Sequence, residues 1–268
     1  MTNLEGRVAV LTGGGGVLCT AIARGLSSAG ATVVLYDLDE ERAQRALATA
    51  VGDSGSGMAL GGSVLVREDL DRAAAEIVKH FGQVDILING AGGNHPEATT
   101  SADRPFFELP DESVRFVFDL NFQGTLVPSQ VFGRLMADRG EGVILNIASM
   151  NAFRPLTRIP AYSAAKAAVA NFTQWLAVYM AQNVSPKIRV NAIAPGFFLT
   201  EQNRFLLQGD DGELTERGRQ ILDHTPMARF GDPEDLVTTV LWLVSAGSEF
   251  VHGIVVPVDG GFSAYSGV

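Results

Sequence analysis

Short apolar runs recur along this chain, and segments with helical periodicity separate them. The runs cover residues 7–12, 31–36, 58–64, 84–89, 143–148, 187–194 and 254–258. Strands that are apolar on both faces and alternate with helices are typical of a parallel sheet covered on both sides. The sequence therefore predicts an α/β fold, a doubly wound, Rossmann-like parallel sheet of seven strands in three α/β/α layers.

The helical segments complete this pattern. We predict helices at residues 17–28, 68–81, 111–138, 160–181 and 233–245, and an irregular excursion at 197–229 that covers the substrate. No repeat or low-complexity linker divides the 268 residues, so we expect a single domain over residues 1–268.

The formal net charge is −10, which argues against a nucleic-acid surface and favours a small-molecule ligand. The apolar runs are too short to span a bilayer, so we expect no membrane partner. The start of the chain lacks the pattern of a secretory signal, which favours the cytoplasm, and the single cysteine, Cys19, fits a reducing compartment. The scattered histidines have no metal-ligand spacing, so we predict no metal.

The first predicted strand leads into four consecutive glycines and then a helix. Such a turn lets the backbone approach a pyrophosphate, and the amides at the helix start attract its charge, although most glycine-rich turns bind nothing. Asp37 ends the second strand about twenty residues later, where an acid can bind ribose hydroxyls and repel the extra phosphate of NADP. It could also be a solvated acid that begins the next helix. Its position favours NAD (NADH) as the cofactor, with NADP disfavoured.

Residues 149–166 carry the candidate chemistry. Tyr162 and Lys166 are four residues apart, so they project from one face of the helix that Pro160 opens. An ammonium beside a phenol is expected to lower the pKa of the phenol, and Tyr162 could then exchange a proton with a carbonyl or alcohol oxygen. Ser149, at the end of the fifth strand, could hold that oxygen. Asn121 lies inside a predicted helix, where an Asn either caps an irregularity or has a function.

These motifs together resemble the short-chain dehydrogenase/reductase family over essentially the whole chain. The resemblance implies Tyr162 as acid/base, Ser149 as the hydroxyl that holds the carbonyl, Lys166 as the partner of Tyr162 and of the nicotinamide ribose, and Asn121 as the anchor of a proton-relay water. The cofactor contacts that it implies, besides Tyr162 and Lys166, are Gly13, Gly14, Gly15, Gly16, Val17, Leu18, Asp37, Leu38, Ser63, Val64, Asn89, Gly90, Ala91, Gly92, Pro195, Gly196, Phe198 and Thr200.

The chain departs from the family pattern at three places. Val17 and Cys19 stand at the second and third glycine positions of the phosphate turn, so Gly13 to Gly16 must meet the phosphates in a modified turn. Ser63 takes the place of an Asp that usually touches the adenine. Gly90 follows Asn89 where a second Asn is commoner.

Three segments, residues 92–96, 149–160 and 195–204, resemble more narrowly the branch of the family described as D-mannonate oxidoreductases. The enzymes of that branch interconvert D-mannonate and D-fructuronate with a nicotinamide cofactor. A polyhydroxylated acid needs amide and hydroxyl partners and a cation for its carboxylate, and Arg suits that role. Which arginine faces the pocket stays open. The candidates are Asn94, His95, Ser149, Asn151, Arg154, Arg158, Gln202, Asn203 and Arg204.

Two other functions remain open at this stage. The enzyme could reduce another carbonyl, such as a carrier-bound 3-oxoacyl group or a different sugar acid, although an acidic carrier suits an acidic protein poorly. A non-catalytic nucleotide sensor is the other, but such proteins usually lose the tyrosine or lysine. The resemblance also implies a homo-oligomer, a dimer or tetramer, paired through the long helices around Asn121 and after Tyr162.

Overall fold

A computed structural model of the protein describes residues 2–52, 56–200, 207–209 and 212–267. Within these residues seven strands form one sheet in the order β3-β2-β1-β4-β5-β6-β7, and every neighbouring pair is parallel. The strands are β1 Val8–Thr12, β2 Thr32–Asp37, β3 Gly57–Gly61, β4 Ile86–Asn89, β5 Gly142–Ile147, β6 Ile188–Pro195 and β7 Val255–Val258. The predicted fold class is confirmed.

The described part of the chain contains eight helices. They are α1 Val17–Ser28, α2 Glu40–Val51, α3 Arg67–Phe81, α4 Asp111–Phe118, α5 Gly124–Arg139, α6 Pro160–Asn183, α7 Glu216–Asp223 and α8 Val237–Val244. One apolar core joins the sheet to α1, α2 and α8, and a second joins it to α3, α5 and α6. Among the same residues no helix combines the length and apolar character needed to cross a membrane.

The long helix predicted over residues 111–138 is instead two helices joined by one π-helical turn, Asp119–Gln123. Asn121 lies in this turn with a fully buried side chain. Its Nδ2 donates to the carbonyls of Gly93 and Val117, both at 2.7 Å, and its Oδ1 accepts from the amide of Gly93 at 3.2 Å. The irregularity that the mid-helix Asn suggested is therefore present, and a tertiary contact with the loop after β4 holds it.

The third strand begins and ends earlier in the sequence than predicted. It covers Gly57–Gly61 rather than residues 58–64, so Ser63 and Val64 lie in the loop that follows it. Both ends of β3 are exposed and its middle is only partly buried, because it is the edge strand. An edge strand has less need of apolar residues, which explains the weak signal.

The parallel arrangement fixes the place of the candidate site. Strands β1, β4, β5 and β6 end side by side at Thr12, Asn89, Ile147 and Pro195. In an open parallel sheet, ligands bind in the crevice outside these carboxyl ends, close to the point where the strand order reverses. Here that reversal lies between β1 and β4, so the loops that follow β1 and β4 flank the crevice.

Candidate active site

A cleft of about 270 Å³ opens at the carboxyl ends of these strands. Its lining includes the two regions that the sequence singled out, the glycine turn and the segment with Ser149, Tyr162 and Lys166. The lining residues are Gly13, Gly16, Val17, Leu18, Cys19, Gly90, Gly92, Gly93, Ile147, Ala148, Ser149, Tyr162, Lys166, Pro195, Gly196, Phe197, Phe198 and Thr200.

The glycine turn packs too tightly for side chains. Gly13 has a φ of +64°, in the left-handed region, and a Cβ on it would lie 2.8 Å from the backbone of Ala91. A Cβ on Gly14 would lie 2.7 Å from the side chain of Leu35. Gly16, at the N-cap of α1, leaves the first amides of that helix without a side-chain partner. The turn therefore offers bare backbone and uncapped amides to an anion.

Asp37 supports this turn from the end of β2. Its Oδ2 accepts a hydrogen bond of 2.9 Å from the amide of Gly15, and its Oδ1 accepts from the amide of Asp39 at 3.3 Å. Leu38 is 79% exposed beside it. A carboxylate at the end of β2 and next to the turn can still accept hydrogen bonds from a ribose, although it already accepts two from backbone amides.

Hydrogen bonds to Tyr36 and Asp69 hold the loop after β3 in place. The hydroxyl of Tyr36 donates to the carbonyl of Ser63 at 3.2 Å, and the amide of Ser63 donates to Asp69 at 3.0 Å. The Ser63 hydroxyl accepts from the amide of Leu65 at 3.2 Å and keeps its own proton to donate. Val64 is buried, so its side chain serves the core.

Only some residues of the loop after β4 line the cleft. The side chain of Asn89 is buried and donates to Ser129 at 2.9 Å and to Asn146 at 2.8 Å, outside the cleft. Gly90 and Gly92 line the cleft, whereas Asn89 and Ala91 do not. The hydroxyl of Thr12 accepts from the amides of Gly90 and Ala91 at 3.2 and 3.3 Å, and this ties the loop to β1.

Ser149, Tyr162 and Lys166 meet at the floor of the cleft. Ser149 and Tyr162 both line the cleft. Lys166 is 4% exposed; its Nζ donates to the carbonyl of Ile147 at 2.8 Å and lies 5.6 Å from the centre of the Tyr162 ring. These three residues were predicted as catalytic, and the structure brings them together.

The charges in this group are set mainly by burial. Burial raises the pKa of Tyr162 above its ordinary value, and the hydrogen bond with Ser149 opposes that rise. Burial also lowers the pKa of Lys166 to about 8. The expectation that Lys166 lowers the pKa of Tyr162 differs from this result, because Nζ is directed at the carbonyl of Ile147 and the loss of solvent around the phenol dominates.

The substrate candidates separate into two groups. Several serve the local fold. Asn94 donates to Thr99 at 2.8 Å, His95 accepts from the amide of Glu97 at 3.2 Å, and the Nε of Arg154 donates to the carbonyl of Ser263 at 3.1 Å. Asn151 is buried and bonded to Ser149 at 3.2 Å, and it does not line the cleft.

Arg158 is exposed, and its guanidinium acts on that of Arg217 in α7. Burial and the charge of Arg158 together lower the pKa of Arg217. Sequence reasoning missed Arg217, since no motif marks the segment around it. It also missed Gly93 and Phe197, which line the cleft and directly follow recognised motifs. Gln202, Asn203 and Arg204 lie outside the described residues.

The arrangement joins a donor, a titratable phenol and a buried cation at one end of a cleft whose other end suits a dinucleotide phosphate. The model of the family described as enoyl-(acyl carrier protein) reductase matches residues 17–263. The chain therefore belongs to this family of short-chain dehydrogenases/reductases, and it is an oxidoreductase.

Similar proteins lie close within the family. The chain is 48% identical to an uncharacterized oxidoreductase, UxuB, of Bacillus subtilis, over 99% of this chain and 98% of that protein. It is 32% identical to the 5-keto-D-gluconate 5-reductase of Escherichia coli, over 97% and 96% of the two chains. A crystal structure from Haemophilus influenzae, assigned provisionally as a D-mannonate oxidoreductase and containing NAD, superposes with a TM-score of 0.93 at 46% identity, covering 100% of this chain and 98% of that one.

Proposed function

We propose that this protein is an NAD(H)-dependent oxidoreductase that interconverts a secondary alcohol and a ketone on a sugar acid of the D-mannonate/D-fructuronate type. The observation that carries the proposal is the cleft that brings Ser149 and Tyr162 together with buried Lys166 and the glycine turn. Related proteins named for sugar acids, and one with NAD bound, support the substrate and cofactor classes.

The residues around the cleft fit a nicotinamide dinucleotide. A Cβ on Gly13, Gly14 or Gly92 would clash with the protein, so the backbone stays bare there, and the start of α1 offers uncapped amides to the pyrophosphate. Asp37 would bind the adenosine ribose, and Lys166 the nicotinamide ribose. When bound, the nicotinamide ring supplies the carbon that accepts or returns a hydride.

Tyr162 would exchange the proton in both directions of the reaction. In ketone reduction the hydroxyl of Tyr162 gives a proton to the carbonyl oxygen as the carbonyl carbon receives a hydride. In alcohol oxidation the phenolate takes the hydroxyl proton as that hydrogen leaves with its electron pair. Ser149 donates to the same oxygen and so stabilises the charge that develops on it.

The carboxylate of a sugar acid needs a cation at the mouth of the cleft. Arg158 and Arg217 lie close enough for one charge to act on the other, and none of the ion pairs found among the described residues includes either. Two guanidinium groups whose charges act on each other favour an anion. We assign the substrate carboxylate to this pair.

An exposed aromatic row supports the proposed homo-oligomer. Phe118, Phe122, Phe172, Trp175 and Tyr179 contact one another in sequence along the helices around Asn121 and after Tyr162, and Trp175 is 58% exposed. An apolar row of this kind is typical of a subunit interface. Light scattering tests it, and a monomer at working concentration would contradict it.

The function is tested by the change in nicotinamide absorbance with D-mannonate, D-fructuronate, 5-keto-D-gluconate and an acetoacetyl thioester. We expect turnover with a sugar acid and none with the thioester. The Tyr162→Phe variant should lose turnover while it still binds NADH, as measured by fluorescence. Activity with the thioester alone would support the carrier-bound alternative, and NADH binding without any turnover would support a sensor.

A further inference from the structure

Asn151 lies two residues after Ser149, in the short 3-10 turn Met150–Ala152. It is buried, it does not line the cleft, and it was expected to bind substrate. Instead, its side chain bridges three segments. It contacts Ser149 at the end of β5, Leu156 in the loop and Ser163 in the first turn of α6. The residue therefore lies behind the proposed catalytic group.

The orientation of the Asn151 amide follows from its neighbours. The backbone N–H of Leu156 lies 3.1 Å from one terminal atom, and a backbone N–H can only donate. That terminal atom must be the oxygen, Oδ1, and the hydroxyl of Ser163 donates to it as well at 3.2 Å. The NH₂ group must then face Ser149, where Nδ2 lies 3.2 Å from Oγ and donates to it.

The hydroxyl of Ser149 receives two hydrogen bonds from Asn151. Besides Nδ2, the backbone N–H of Asn151 donates to Oγ, also at 3.2 Å. A hydroxyl oxygen has two lone pairs, so both are engaged. The proton of Ser149 remains, and because Ser149 lines the cleft together with Tyr162, this proton is left to donate there. A hydroxyl arranged in this way is a donor to the cleft.

We propose that Asn151 is a positioning residue that fixes Ser149 as a hydrogen-bond donor to Tyr162 and to the substrate oxygen. This inference rests on the proposed oxidoreductase function, because a donor matters most when negative charge develops on that oxygen. The same bond stabilises the phenolate form of Tyr162. Asn151 contacts neither substrate nor cofactor, and its effect passes through Ser149 alone.

The test is the nearly isosteric variant Asn151→Asp. One carboxylate oxygen still accepts from Leu156, but the other now accepts from Ser149 and draws the proton away from the cleft. We expect kcat for ketone reduction to fall about 100-fold at neutral pH, as when an oxyanion donor is removed. The KM for NADH should stay within about threefold. The deficit relative to the wild type should shrink at acidic pH, because a protonated carboxyl can donate again.

Ser163→Ala is the matched control. It removes one bond to Oδ1 of Asn151, whereas the amide of Leu156 keeps the orientation. We expect kcat within about threefold of the wild type, since the direction of Ser149 does not change. The inference is overturned if Asn151→Asp keeps more than half of the wild-type kcat. It is also overturned if, in both variants, the loss of kcat parallels the fall in thermal midpoint and kcat does not recover at acidic pH.

A second readout separates this inference from the proposed function. The ultraviolet titration of Tyr162 is obtained as the difference between each protein and the same protein carrying Tyr162→Phe. We expect Asn151→Asp to raise the titration midpoint and Ser163→Ala to leave it unchanged. If the wild type turns over no sugar acid but this shift occurs, the proposed function fails and the positioning role stands. An unchanged midpoint overturns the positioning role.

Discussion

The sulfur of Cys19 occupies the place where a side chain on Gly90 would begin. A Cβ on Gly90 would lie 2.3 Å from Sγ of Cys19 and 2.8 Å from the carbonyl oxygen of Thr12. Cys19 stands where the family has its third glycine, and Gly90 where it commonly has Asn. These two departures fit each other, since the thiol at one position requires the missing side chain at the other.

This relationship predicts a non-additive pair of substitutions. Gly90→Ala should destabilise the protein by about 1–3 kcal/mol because it overpacks the base of the cleft. Adding Cys19→Ala should recover part of that loss, whereas Cys19→Ala alone has no clash to relieve. The recovery is incomplete because the Thr12 carbonyl stays in place. Urea denaturation of the four proteins gives the coupling energy, and simple additivity would contradict the prediction.

Ser149→Ala should shift the pH dependence of alcohol oxidation to more alkaline values. Oxidation needs the phenolate of Tyr162, whose pKa burial raises and the bond with Ser149 lowers. Without that bond the pKa of Tyr162 rises further, so the rising limb of kcat against pH moves upward. Steady-state kinetics across the alkaline range with saturating alcohol substrate measure it. A limb that stays in place would show that Ser149 does not influence the ionisation of Tyr162.

Lys166→Met should change how the stability of the protein depends on pH. The pKa of Lys166 is about 8 in the folded chain and near 10.5 when unfolded. Between these values the unfolded state binds more protons, so the wild type gains stability as pH rises. Between pH 7 and pH 9 the free energy of unfolding of the wild type should rise by about 1 kcal/mol more than that of Lys166→Met. Denaturation at both pH values measures this gain, and a constant difference would contradict it.

The fold was predictable because buried parallel strands must be apolar on both faces, as residues 84–89 and 143–148 are. The break at Asn121 could be suspected but not located, since the π-helical turn depends on the contact with Gly93 from a distant loop. The contacts of Asn151 could not be predicted for a related reason. A polar residue near a catalytic serine can face the substrate or the serine, and only the neighbouring Leu156 amide decides which.

Asp37→Asn should relax the choice between NAD and NADP. The amide oxygen of Asn can still accept from the amide of Gly15, so the turn keeps its support at 2.9 Å. The negative charge that would repel the 2′-phosphate of NADP is removed. We expect kcat/KM with NADP to rise about tenfold while that with NAD falls. The measurement requires both cofactors with one substrate, and a wild type that already prefers NADPH would contradict the role of Asp37.

Arg158→Ala and Arg217→Ala should each weaken substrate binding with little effect on NADH. Burial and the charge of Arg158 both lower the pKa of Arg217, so an anionic partner is favourable there. Losing a charged hydrogen bond costs about 1.5–3 kcal/mol, which raises the KM for a sugar acid about 10- to 100-fold. Arg154→Ala is the matched control, because its Nε is bound to the carbonyl of Ser263. A neutral polyol substrate should lose nothing in either variant, and equal effects on acid and polyol would refute the carboxylate assignment.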